Sequence, residues 1–189
     1  MNRFTPLLLI FALWLLSEIL IGLFTHSKSS SASDRDRKSL RVLWLTIVPA
    51  ITLGIWVGLQ GIGFIPALSP IAFPLGLALI ALGLLIRWWA IFTLRKYFTS
   101  NVTIREDHQL ITSGLYGVIR HPAYAGALLS FLGLGMVFSN WLSLLIILVP
   151  IFLAFRYRIQ VEEAALQEAF GQSYERYRRR TRKLIPGLY

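Results

Sequence analysis

Reactive side chains are scarce in this chain of 189 residues, and they gather in two places. One is the stretch from Asn101 to Tyr124, with His108, Tyr116, Arg120, His121 and Tyr124. The other is a short run holding Arg158, Glu162 and Glu163. Arg158 and Glu162 are four residues apart, the spacing that puts two side chains on one face of a helix. Together these groups offer donors, acceptors and both signs of charge to a polar ligand; by residue type alone they are equally a solvated helix pair. His121 also stands directly before Pro122, which suits the start of a helix, where proline is favoured. The chain has no cysteine, so disulfides, thiolate zinc sites, cysteine nucleophiles and cysteine lipidation are excluded. No G-x-G-x-x-G follows a strand-like run, so the usual Rossmann route to a nucleotide-type cofactor is absent.

The elements that must position these groups are apolar. Hydrophobic residues make up 56% of the chain and charged residues 15%, against about 25% charged in an average soluble domain; the mean hydropathy is +0.63. That balance identifies an integral membrane protein. A helix needs about 20 apolar residues to cross the hydrocarbon core. Phe4 to Phe24 meets this with Glu18 as its only charge, Val42 to Gln60 with none, and Ile71 to Leu94 with only Arg87. The first segment is long for a signal peptide and lacks a small-residue cleavage site, so a retained helix is expected. A further apolar stretch, Ala123 to Phe155, is divided at Ser139-Asn140 into halves of about 15 residues, short for full spans, and reads as a tight helical hairpin. From Arg158 to Arg179 charges alternate with Leu166, Phe170, Tyr174 and Tyr177, the pattern of an amphipathic helix lying on the membrane or on the hairpin, with Gly171 as a point of interruption. Ser27 to Asp36 is polar and Ser-rich and reads as a mobile loop. The expected fold class is therefore all-α integral membrane, with about five transmembrane helices, the last two a tight hairpin, and a cytoplasmic amphipathic C-terminal helix.

Charge sets the orientation. Lys28, Arg35, Arg37, Lys38 and Arg41 lie between the first two spans; Arg95, Lys96, Arg105 and Arg120 precede the hairpin; a cluster of arginines fills the tail; the segments from Gly61 to Pro70 and around Asn140 carry no charge. By the positive-inside rule the N-terminus is outside and the C-terminus cytoplasmic. The net charge of +10 then reflects topology and contact with anionic lipid rather than nucleic acid. Glu18 and Arg87 fall at similar depth, roughly 10 Å from the cytoplasmic end of their helices at 1.5 Å per residue. An ion pair or snorkelling to the interface is expected, because isolated charges at that depth are costly.

The run HQLITSGLYGVIRHPAYAG, from His108 to Gly126, resembles the core motif of the isoprenylcysteine carboxyl methyltransferases, whose RHP-x-Y element is shared by the related phospholipid methyltransferases. The tail RIQVEEAALQEAFGQSYERYRRRTRKLIPGLY is similar to that family's ending, with paired glutamates, Phe-Gly, Tyr-x-x-Tyr and a closing proline. The likeness runs from about Asn101 to the end; the first three helices match only in being apolar. The resemblance implies an S-adenosylmethionine-dependent membrane methyltransferase acting on a lipid-like acceptor, foremost the carboxylate of a prenylcysteine-type substrate. It implies that the cofactor is lined by Asn101, His108, Gln109, Leu110, Ile111 and Tyr116, then by His121, Pro122, Ala123 and Tyr124, with Glu162 reaching it from the tail and Arg158 facing the substrate carboxylate. No metal is implied. The chain then reads as one membrane domain over residues 1–189: three N-terminal helices to residue 94, and a cofactor-binding loop, hairpin and C-terminal helix over 95–189.

Three other readings compete. A phospholipid amine acceptor would require a neutral nitrogen and hence a base, with Glu162 or Glu163 nearest. Membrane sterol reductases resemble the C-terminal part and would bind a reduced nicotinamide dinucleotide phosphate instead. A non-enzymatic protein could retain the scaffold, but would have no need of His121, Tyr124, Arg158 and Glu162 together. The sequence assigns no oligomeric state and does not name the acceptor.

Overall fold

The computed structural model describes residues 4–25, 34–98 and 109–185. Among the described residues the α-helices are α1 (Phe4–Thr25), α2 (Asp34–Gln60), α3 (Ser69–Leu94), α4 (Pro122–Val137), α5 (Trp141–Phe170) and α6 (Gln172–Arg180), with short 3-10 turns at Pro66–Leu68, Arg95–Tyr97 and Gly114–Gly117. Three helical stretches are long and apolar enough to cross a membrane: Asp36–Gln60, Pro66–Leu94 and Trp141–Phe170; Leu8–Gly22 and Pro122–Val137 are shorter apolar helices. Leucines and aromatics such as Leu8, Leu45, Leu85, Trp89 and Phe92 face outward. A water-soluble surface would not tolerate so much exposed apolar area, whereas a lipid-facing one requires it.

Two boundaries differ from the sequence expectation. Helix α2 begins at Asp34, so the last part of the expected loop, including Asp36, is helical: an acidic residue in a first turn is favoured by the helix dipole. The second arm of the hairpin and the tail helix are one continuous helix, α5, with no break at Phe155. Only polarity changes there; Arg, Gln and Glu are good helix formers, so the backbone has no reason to stop. It stops at Gly171, whose φ of 49° is left-handed and suits glycine.

Helices α3 and α4 touch through glycine. A Cβ on Gly126 would sit 2.6 Å from the Gly83 carbonyl oxygen, and one on Gly133 would sit 2.5 Å from that of Gly76. Both pairs are spaced by seven residues, so one face of each helix is bared to backbone and the axes approach closely, the usual mode of association in lipid. Helices α2 and α5 pack around Ile147 and Ile151, which are fully buried, and the Ser143 hydroxyl donates to the Gly54 carbonyl at 2.7 Å. The hairpin turn is fixed by Asn140, whose side-chain oxygen accepts from the backbone N–H of Leu142 and Ser143 at 3.0 Å each, while its amide donates to the Ile62 carbonyl at 2.7 Å. Helix α1 leans on α3 through the expected ion pair, Arg87 Nε to Glu18 Oε1 at 2.8 Å and Nη2 to Oε2 at 3.0 Å, and through Trp88 Nε1 donating to the Ser17 hydroxyl at 2.7 Å.

Candidate active site

At 1.5 Å per residue α5 is about 45 Å long, while the hydrocarbon core is about 30 Å thick. It is therefore longer than the hydrocarbon core by about a third of its own length, and its final third carries Glu162 and Glu163. Opposite it the chain leaves a 3-10 turn at Gly114–Gly117, which opens on Gly114 with φ of 59°, and enters α4 with His121 as N-cap and Pro122 in the first turn. The helix-start reading of His121 is thus correct, and it coexists with a polar role: the ring is buried, with Nε2 3.3 Å from Glu163 Oε1 and Nδ1 3.9 Å from Glu162 Oε1. One turn into α4 the Tyr124 hydroxyl donates to Glu162 Oε2 at 3.0 Å. The two polar segments singled out in the sequence therefore meet.

Glu163 is the hub that holds them. Its Oε1 accepts from Arg120 Nε at 2.9 Å, and Oε2 lies 3.2 Å from Lys183 Nζ. Arg120 also donates to the Arg178 carbonyl at 3.1 Å and to the Thr181 carbonyl. Backbone pairing completes the clasp: Arg120 N–H donates to the Arg182 carbonyl at 2.7 Å, His121 N–H to the Lys183 carbonyl at 3.0 Å, and Arg182 N–H to the Val118 carbonyl at 3.2 Å. The Tyr177 hydroxyl on α6 donates to the Tyr116 carbonyl at 2.8 Å. Burial pushes the phenols of Tyr116, Tyr174 and Tyr177 above their ordinary range, with the Glu162 charge adding to the effect at Tyr116. All three phenols are neutral at physiological pH.

Arg158, one turn before Glu162, is 2% exposed, and its Nη1 is held by the Asp36 side chain and carbonyl and by the Ser39 hydroxyl, all from the first turns of α2. It also hydrogen-bonds with Tyr124. Arg158, Tyr124, Glu162, His121 and Glu163 thus form one connected polar cluster. Of the other expected site residues, Pro122 and Ala123 are buried at the start of α4, Gln109 is exposed, and Leu110 and Ile111 are half-buried. Asn101 and His108 lie outside the described residues. Leu110 lines a cleft of about 380 Å³ with Thr112, Ser173, Arg176 and Tyr177, and Ile111 lines one of about 810 Å³ with Trp89, Phe92, Arg95 and Tyr97. The segment 109–113 is therefore a wall between a polar cleft and a largely apolar, aromatic one; neither cleft is lined by the His121–Glu162 cluster. Sequence reasoning overlooked Asp36, Ser39 and Lys183. The one available signal was the acidic residue at the head of an apolar span.

The model of the phospholipid methyltransferase family matches residues 71–173. Over 113 residues the chain is 36% identical to protein-S-isoprenylcysteine O-methyltransferase B of Arabidopsis thaliana, covering 59% of this chain and 57% of that protein. Over 81 residues it is 41% identical to the protein-S-isoprenylcysteine O-methyltransferase of Schizosaccharomyces pombe, covering 43% of this chain and 34% of that one. Among solved structures it is similar to a eukaryotic intramembrane Ras methyltransferase, isoprenylcysteine carboxyl methyltransferase, with a TM-score of 0.67 and 30% identity over 75% of this chain and 52% of that one. The chain spans little more than half the length of the first of these relatives.

Proposed function

The chain belongs to the phospholipid methyltransferase family, and from that premise we propose that it is an S-adenosylmethionine-dependent membrane methyltransferase whose acceptor is a lipid-like carboxylate of the prenylcysteine type. The observation that carries the reading is the junction of the two polar segments: Glu162 reaches Tyr124 at 3.0 Å and His121 at 3.9 Å. When bound, S-adenosylmethionine supplies a methyl group on a cationic sulfonium. The donor set fits such a ligand: Glu162 offers a negative charge, His121 and Tyr124 offer polar contacts, and backbone in 109–111 offers further partners for its amino acid end. Asn101 and His108 belong to the same proposed wall. A polar cleft and an apolar aromatic cleft on opposite sides of residues 109–113 also suit a reaction between a water-soluble donor and a lipid acceptor.

An acceptor carboxylate is already ionised at neutral pH, so these residues need not remove a proton. Their work is placement, which can supply about 7–11 kcal/mol when the reacting groups are aligned. Arg158 holds the acceptor carboxylate beside the cofactor contacts. An amine acceptor suits the site less well, because it needs a base and the lone pairs of Glu163 are occupied by Arg120, His121 and Lys183. In this reading all five apolar segments enter the bilayer, α6 lies on its cytoplasmic face, and the C-terminus and site are cytoplasmic, in line with the distribution of positive charge.

The test uses purified protein in detergent, titrated with S-adenosylhomocysteine and separately with a reduced nicotinamide dinucleotide phosphate, followed by transfer of labelled methyl to an N-acylated S-prenylcysteine. Binding of S-adenosylhomocysteine and labelling that base hydrolysis releases as methanol are expected. Binding of the dinucleotide alone refutes the reading in favour of a reductase; label that resists hydrolysis on a phospholipid amine refutes the acceptor.

A further inference from the structure

Helix α6 carries four arginines and a single acid, Glu175. Glu175 takes two of them: Arg178 Nη2 lies 3.4 Å from Oε2, and Arg179 Nε donates to Oε1 at 3.4 Å. Among the described residues Arg176 and Arg180 face no carboxylate; Arg176 donates to the Ser173 hydroxyl at 3.4 Å. The two are four residues apart, so they share one face of the helix, where like charges repel. The helix cannot turn to relieve this. Its other face holds the buried Tyr174 and Tyr177, and the Tyr177 hydroxyl is tied to the Tyr116 carbonyl.

Both arginines line the polar cleft of about 380 Å³, together with Thr112 and Ser173, and no acidic residue is among its walls in the described residues. Two guanidinium groups and two hydroxyls are a donor set for a phosphate, whose several oxygens accept at once and whose charge matches the forked arginine donors. The Leu110 side of this cleft belongs to the proposed cofactor wall, but the arginines do not suit that ligand. S-adenosylmethionine carries a sulfonium, an ammonium and one carboxylate, so it is a net cation at neutral pH. An anion at α6 removes the repulsion that two bare arginines would exert on it.

The neighbourhood indicates where the anion comes from. Leu110 lines the arginine cleft, and the next residue, Ile111, lines the apolar cleft that holds Trp89 and Phe92. Those two rings are 60% and 66% exposed at the end of an apolar helix, the setting in which tryptophan marks the level where lipid chains meet headgroups. Adjacent Cα atoms are about 3.8 Å apart, so the arginines lie beside that level. A phosphate held by them can keep its chains in the hydrocarbon. A free phosphate has no use for such a neighbour.

We propose that Arg176 and Arg180 form a binding site for the phosphate of an anionic phospholipid from the surrounding bilayer. The site does not depend on the reaction proposed above.

The experiment is native mass spectrometry of the full chain in non-ionic detergent, equilibrated with equal amounts of dioleoyl phosphatidylglycerol and dioleoyl phosphatidylcholine. The chains are identical, so any preference is for the headgroup. Wild type is expected to retain phosphatidylglycerol with about a thirtyfold preference, about fivefold for each arginine. Arg176→Gln with Arg180→Gln is expected to bring the preference below about threefold. Arg156→Gln with Arg179→Gln removes the same charge from exposed positions that do not line the cleft, and is expected to stay within about threefold of wild type. Arg176→Lys with Arg180→Lys keeps the charge and loses the fork; an intermediate loss of about threefold is expected, and it reads the site even if the neutral pair folds poorly. A preference that survives the Arg176→Gln and Arg180→Gln pair overturns the proposal, as does one that falls equally in the charge-matched pair. Displacement of the lipid by excess inorganic phosphate overturns the lipid as the source of the anion. None of these readouts involves S-adenosylmethionine, so failure here leaves the functional reading to its own test.

Discussion

Replacing Glu163 by alanine removes a carboxylate that faces both Arg120 and Lys183. The size of the effect follows from how each partner is solvated. Arg120 is buried and 2.9 Å from the carboxylate; stripping the counter-charge from a buried pair costs about 3–5 kcal/mol. Arg120 retains the Arg178 and Thr181 carbonyls as acceptors, which places the cost at the lower end, about 3 kcal/mol. The Lys183 side chain is 28% exposed, so its pairing contributes less than about 1 kcal/mol after solvent screening. For a chain of this length each kcal/mol corresponds to about 2–4 °C in Tm. Glu163→Ala should therefore lower Tm by about 6–16 °C, measured by thermal unfolding in detergent with S-adenosylhomocysteine absent. Glu163→Gln, which keeps an acceptor, should cost about half as much, and Lys183→Ala only about 2–4 °C. If Glu163→Ala lowers Tm no more than Lys183→Ala does, Arg120 is not relying on the carboxylate and the hub described above is wrong.

Glu162→Ala should weaken S-adenosylhomocysteine about 10- to 100-fold, the range of a hydrogen bond to a charged group, without the Tm loss of Glu163→Ala; equal affinity would remove Glu162 from the cofactor site. Glu18→Ala should destabilise the protein by about 2–3 kcal/mol by leaving Arg87 unpaired at depth, and Glu18→Leu combined with Arg87→Leu should recover most of it in nanodisc unfolding; a double variant as unstable as the single would show that the pair is not the reason. Gly126→Ala forces a methyl against the Gly83 carbonyl and the Arg87 amide at 2.6 and 2.8 Å, and should cost about 1–3 kcal/mol. Gly22→Ala, with nothing within 4 Å, is the matched control and should be silent.

The spans were legible because their signal is length and apolarity, both one-dimensional. Gln60 and Leu94 end α2 and α3 where the apolar runs end. The false boundary at Phe155 arose from reading a change in polarity as a change in backbone, which only a residue such as Gly171 can supply. His121, Tyr124 and Glu162, singled out through the family likeness, do come together. Asp36 was not legible, because its significance lies in a partner 122 residues away, and a Ser-rich lead-in disguised the helix it begins. Nor could the glycine faces of α3 and α4 be matched before their registry was known: a glycine reads as a turn, a hinge or a contact until its neighbour is in place.

The unbroken course of α5 has a mechanical consequence. A continuous helix transmits position, so the distance from Trp141 at one end to Glu162 near the other follows from residue count, about 32 Å at 1.5 Å per residue. On the proposed function the reacting groups are thereby pinned at one height relative to the bilayer and cannot descend to meet a deeply seated acceptor. On that proposal a lipid would serve as substrate only if its reactive group rises to that level with its tail still in the hydrocarbon. Selection among lipids is then partly a matter of measurement, with α5 as the ruler: deleting or inserting one turn before Pro150 should shift which chain lengths are accepted before it alters any contact in the site.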